Sequence, residues 1–114
     1  MAADNIVIML KALDGLAARG TVIAQNIANA GTPNYRPLRL RFEQALRDAA
    51  LVGDEAVRAL APTIAPVPAG APEAHQRLDL ELAAASTTAL RYGALIDMLG
   101  RQMQLEALAV RGNN

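Results

Sequence analysis

The chain has 114 residues, 11 basic and 11 acidic side chains, no Cys, and three aromatics in all. That length holds one domain or less, and a formal net charge of zero removes the simplest electrostatic argument for nucleic acid or an anionic membrane. The lack of Cys excludes a disulfide framework and a thiolate metal site.

The N-terminal text MAADNIVIMLKALDGL has an acid before its apolar stretch and no basic leader, so it does not read as a cleaved signal peptide. No apolar run approaches the roughly 20 residues of a membrane span. From about Ala3 to Ala30 the pattern predicts one long helix, with Asp4 as N-cap. Ile6, Met9, Leu13, Leu16, Gly20, Ile23, Ile27 and Ala30 alternate three and four apart, a heptad seam in which only Gly20 lacks a side chain. Gly20 either permits close backbone approach or marks a weak point.

The helix stops in AQNIANAGTPNY. Gly31 is expected to take the left-handed position after the helix, and Pro33 to block its continuation. Asn26 and Asn29, three apart on adjacent helical positions, are expected to serve an interface. Next comes YRPLRLRF, where Leu38, Leu40 and Phe42 alternate with Arg39 and Arg41, the period of a short strand or extended arm. EQALRDAALVGDEAVRALA has helical content interrupted near Gly53. All six prolines fall between residues 33 and 72. PTIAPVPAGAP, 62–72, can be neither helix nor central strand and reads as an extended linker.

The last segment, about Leu80 to Val110, resumes the three-four alternation through Leu82, Ala85, Ala89, Tyr92, Ile96, Leu99 and Met103. A second stripe of Leu95, Met98, Leu105 and Leu108 lies beside it. One partner helix covers one seam, so a helix with two apolar stripes needs further partners. The chain is therefore expected to be marginal alone and to find its missing burial by assembly.

Catalytic chemistry finds little footing. His75, the single histidine, sits in the Pro/Ala segment with no second ligand or nucleophile beside it, and no hydrolase, phosphate-loop or dinucleotide motif is present. No enzyme activity, cofactor or metal is expected. Asp79 and Glu81 read as acids at a helix N-terminus. Arg36, Arg39 and Arg41, flanked by Tyr35 and Phe42, form a basic strip. At zero net charge it reads as a solvated face or a set of ion pairs before it reads as a nucleic-acid site.

IAQNIANAGTPNYRPLRLRFEQAL resembles the N-terminal signature of the bacterial flagellar axial proteins, in which a helix ends in Asn-Ile-Ala-Asn and Thr-Pro-Gly-Tyr follows. Asn26, Ile27, Ala28, Asn29, Thr32, Pro33 and Tyr35 match, and Asn34 stands where the family has Gly. In the C-terminal helix Leu90, Arg91 and Tyr92, and more loosely Leu99 and Arg101, are similar to the short proximal-rod group of the basal-body rod family. Gly93 stands where a Gln is common. The resemblance covers roughly residues 5–50 and 78–112.

It implies a structural subunit of the flagellar rod, exported without a cleaved signal through the type III channel. Such subunits stack helically into a hollow shaft that carries torque. The partners implied are copies of itself, other rod subunits, and the membrane-ring, adaptor and export-gate proteins at the rod base. The expected fold is all-α. Two long terminal helices, within 1–31 and 80–114, pair as an antiparallel coiled-coil hairpin. Residues 32–79 between them form an extended arm, a short helix and an irregular Pro-rich segment. A soluble helical adaptor or export chaperone is the alternative.

Overall fold

The computed structural model describes residues 1–75 and 77–112. Gln76, Asn113 and Asn114, which fall within the expected middle segment and C-terminal helix, lie outside the described residues. The described chain is mostly helical and elongated, 63 × 26 × 16 Å. It runs α1 (Asn5–Ala28), β1 (Leu38–Arg41), α2 (Glu43–Val52), α3 (Asp54–Ala59), β2 (Thr63–Pro66), a 3-10 turn (Pro72–Ala74) and α4 (Leu78–Gly112).

Helix α1 begins where the sequence places it. Asp4 caps it, its carboxylate accepting the Ile6 N–H at 2.8 Å. The helix ends two residues before the expected Ala30, at Ala28, with Asn29 as C-cap. Gly31 does not take the left-handed position; the positive φ falls instead on Asn34, at 62°. Asn is among the few non-Gly residues that tolerate that region, so Asn34 can hold the turn.

The long helices run antiparallel. Asn26 near the end of α1 meets Glu81 near the start of α4, while Arg91 lies beside Ile8, Ala12 and Leu16. At 1.5 Å per residue α4 is about 52 Å long against about 36 Å for α1. Helix α4 therefore outruns its partner, and every residue from Met103 to Gly112 is exposed.

The face that α4 turns inward differs from the expected seam. Glu81 and Thr88 are buried, and Ala84, Ala85, Leu95, Leu99 and Gln102 are half-buried. Of the expected positions, Leu82, Ala89, Tyr92, Ile96 and Met103 are exposed, Leu82 and Met103 at more than half their surface. The contact stripe is rotated about one residue from the heptad. The physical reason is that small side chains at 84, 85 and 88 allow close approach, and that Glu81 finds its charge partner only there. A helix with apolar residues on a broad arc leaves the choice of edge to such local contacts. On α1 the seam fares better: Leu16 and Ile23 are buried, and Ile6, Met9, Leu13 and Ile27 half-buried.

The middle corrects the all-α expectation. Residues 63–66 are a strand, paired antiparallel with β1 in the register Leu38–Pro66, Arg39–Ala65, Leu40–Ile64, Arg41–Thr63. Val67 N–H donates to Pro37 C=O at 2.9 Å. Antiparallel bonding alternates, so 37, 39 and 41 bond to β2 while the backbone groups of Leu38 and Leu40 face away from it. The same alternation turns the nitrogens of Pro62, Pro66 and Pro68 to the outer edge of β2, where no ladder hydrogen is needed.

The core gathers where α1, β1, α2 and α3 meet, around Leu16, Val22, Leu40, Phe42, Leu46 and Val57, with Leu95 of α4 packed against it. Gly15 makes room for Phe42. A Cβ at Gly15 would lie 2.6 Å from the ring carbons, whereas one at Gly20 would meet nothing within 4 Å. Gly15, not Gly20, is the close-approach glycine.

Candidate assembly joint

Strand β1 has one edge on β2 and the other on α1. The α1 edge is closed by side chains rather than by a strand. Asn26 is fully buried, and its amide treats Leu38 as a peptide partner would. Asn26 Oδ1 accepts the Leu38 N–H at 2.9 Å, and Asn26 Nδ2 donates to the Leu38 C=O at 3.0 Å. Two strand positions on, the Leu40 C=O accepts from the Arg19 guanidinium at 2.9 Å. Asn26 and Arg19 lie seven apart, on one face of α1, so a single helix face satisfies the Leu38 N–H and C=O and the Leu40 C=O on the open edge of β1.

Asn26 is also the hub of a wider network. The Tyr35 hydroxyl donates to its Oδ1 at 2.9 Å, and its Nδ2 lies 3.4 Å from Glu81 Oε2. Glu81 is itself buried and takes Arg39 Nη1 on its other oxygen at 2.9 Å. One amide thus ties the end of α1, the turn, β1 and the start of α4. No buried side-chain nitrogen or oxygen among the described residues lacks a hydrogen-bond partner. A network so satisfied in a low-dielectric site fixes one arrangement of the elements.

Asn29 works locally. Its Nδ2 donates to the Gln25 C=O at 2.9 Å, and its Oδ1 accepts from the Thr32 hydroxyl at 3.1 Å. The Asn29 C=O also accepts the Thr32 N–H, and the Thr32 C=O accepts the Tyr35 N–H, winding the turn toward the joint. Within the chain the two amides have separate uses. Asn26 is spent inside the fold and Asn29 caps its own helix. Of the rest of the motif, Ile27 is half-buried, while Ala28, Thr32 and Pro33 are exposed.

The backbone of the arm packs back on its own chain. Arg39 is held by Glu81, and Arg36 Nη1 approaches the Val67 C=O at 3.5 Å. Phe42 is core, with the Arg19 guanidinium 5.0 Å from its ring centroid. Arg41 is exposed. Arg19 also forms an ion pair with Glu43. The hydrogen bond from Arg19 holds the Glu43 carboxyl below the usual glutamate range, against a smaller upward push from burial. At the start of α4, Arg77 bonds Asp79 and lowers its pKa in the same way. The acid cluster read at 79 and 81 thus divides: Asp79 is solvated and Glu81 is structural.

The sequence reading missed Arg19, Gly15 and Glu81. A signal for Glu81 was present, since its carboxylate interrupts the apolar positions of a helix whose neighbour offers an amide. His75 is exposed, and no group of His, Cys, Asp and Glu among the described residues could hold a metal ion. No described helix is long and apolar enough to cross a membrane.

The outer surface of α4 carries the other notable feature. Leu82, Leu90, Ile96, Met98, Met103, Leu105, Leu108 and Val110 are all exposed. Beside α1, where α2 and α4 flank it, an open apolar groove of about 320 Å³ has Ile8, Ala12, Leu16 and Leu46 in its lining and Arg47 and Arg91 at its rim. In comparisons with known proteins, no family model and no curated protein matches the chain.

Proposed function

We propose that the chain is a structural subunit of the bacterial flagellar proximal rod, a member of the rod family whose signature its N-terminal segment resembles. The observation that carries this reading is the uncovered apolar surface of α4. A 35-residue helix with aliphatic side chains around much of its circumference has one long intrachain helix beside it, and that helix has 24 residues. Exposed apolar surface of this extent marks a protein-protein contact. It supports assembly with copies of this chain and with other rod subunits, the α1–α4 pair serving as an antiparallel coiled coil at the shaft wall. The membrane-ring, adaptor and export-gate proteins at the rod base are the further partners of this reading. Export without a cleaved signal and residence in the periplasmic rod complete it. The function is mechanical: to transmit torque and line a conduit.

The test is genetic. Deleting the gene should arrest flagella at the membrane-ring stage, and the full-length chain should appear among exported proteins. Normal flagella in the deletion strain would overturn the reading. The same bare α4 surface also fits an export chaperone, which would hold a client in the cytoplasm and stay there when export runs.

A further inference from the structure

We propose that the overhanging end of α4, Met103–Val110, docks in the α1–α2 groove of a second copy of this chain. This deepens the assembly reading and rests on it. Three features of the surface select this occupant. The first is length. Met103 and Val110 lie seven residues apart on one face, about 10 Å along the helix axis. The groove floor from Ile8 to Leu16 spans eight residues of α1, about 12 Å. Two apolar knobs on the overhang therefore match the span of the apolar floor.

The second is charge. Glu106 shares the face of Met103 and Val110 and is the single acid between Met103 and Gly112. On the groove rim, Arg47 donates to Gln44, and neither it nor Arg91 has an ion-pair partner among the described residues. Glu43, the acid in the lining, is engaged by Arg19. The rim therefore offers two cations that no carboxylate among the described residues neutralises, where the overhang brings one carboxylate.

The third is geometry. The overhang lies past the N-terminal end of its own α1, while the groove lies along α1 beside Arg91. Knob and groove are thus different surfaces of one molecule. Contacts between unlike surfaces repeat without closing when the rotation between copies does not return, which generates a helical polymer rather than a dimer.

The natural absence of Cys makes the test clean. Full-length Ala50→Cys, at the groove, and Met103→Cys, on the overhang, are mixed and treated with a short bismaleimide. A covalent heterodimer is expected in the mixture and not with either variant alone. Leu90→Cys, on the outer side of α4, should not cross-link to Ala50→Cys. In sedimentation, Glu106→Arg should weaken self-association about tenfold, and Arg47→Glu with Arg91→Glu in the same chain should restore it. Glu106 is solvent-exposed, so circular dichroism should find the fold of Glu106→Arg unchanged.

Cross-linking at Leu90 in place of Met103, unaltered association of Glu106→Arg, or no self-association at any concentration tested would each overturn the proposal. The two readings fail separately. Arrested flagella without the Ala50–Met103 cross-link refute the docking alone. The cross-link together with normal flagella in the deletion strain refutes the rod reading alone.

Discussion

Replacing Asn26 by Ala removes the amide that serves as partner to the Leu38 backbone. It leaves the Leu38 N–H and the Tyr35 hydroxyl without their acceptor, leaves the Leu38 C=O to the Arg39 guanidinium alone, and takes one contact from Glu81. An unsatisfied buried polar group costs about 1–3 kcal/mol, and Leu38 and Tyr35 are half-buried, so water recovers part of the loss. The sum worked from the two orphaned groups is about 2–3 kcal/mol. Asn29→Ala removes bonds that are solvent-exposed and replaceable by water, and should cost about 0.5–1 kcal/mol. Urea unfolding followed by circular dichroism compares the two, with the slope checked for unchanged cooperativity. Asn26→Ala should lower the midpoint far more than Asn29→Ala. Equal losses would refute the reasoning, because the pair would then be a single capping device. A double-mutant cycle with Tyr35→Phe should show coupling of about 1 kcal/mol, since both report on one hydrogen bond.

Further substitutions probe the packing around the joint. Gly15→Ala drives a methyl into the Phe42 ring and should destabilise by about 1–3 kcal/mol. Gly20→Ala, in open space, should stabilise by about 0.5–1 kcal/mol through helix propensity, and thermal melts separate the signs. Arg39→Ala strands the buried Glu81 carboxylate and should cost about 2 kcal/mol, whereas Arg41→Ala should change stability by less than about 0.5 kcal/mol. Glu43 has a folded pKa below its unfolded one. Its contribution is therefore present above the unfolded value and is lost as pH falls through the folded value. Wild type should exceed Glu43→Gln in stability at neutral pH, and the two should converge in urea midpoint below the usual glutamate range. The difference should be small, because the Glu43 side chain is 44% exposed.

The long helices were legible because a three-four alternation has few other readings, and Asp4 announced the start of the first. Which edge of α4 packs was not legible. Leu82, Ile96 and Met103 form the better apolar stripe, yet Ala84, Ala85 and Thr88 let the backbones approach, and Glu81 needs Asn26 and Arg39. Hydropathy ranks side chains by transfer from water and gives no weight to such fit. Asn26 was singled out by its motif, but its intrachain partner was not legible, because that partner is a backbone twelve residues ahead that only the fold brings near. Strand β2 was missed because the prolines, which argue against a helix or a central strand, made the segment read as an extended linker. Their common parity at 62, 66 and 68 was the available signal, since proline is tolerated where its nitrogen faces outward.

That parity has a consequence for a chain that assembles. A subunit gathered at high local concentration with a bare strand edge could grow by cross-β pairing, sheet joining sheet, into a fibre with no helical register. On the outer edge of β2, proline leaves Ile64 as the single backbone donor between positions 62 and 68. The other edge of the sheet is occupied by Asn26 and Arg19. Both edges are thereby poor templates for a competing polymer, and the assembly proposed above would grow through the helices.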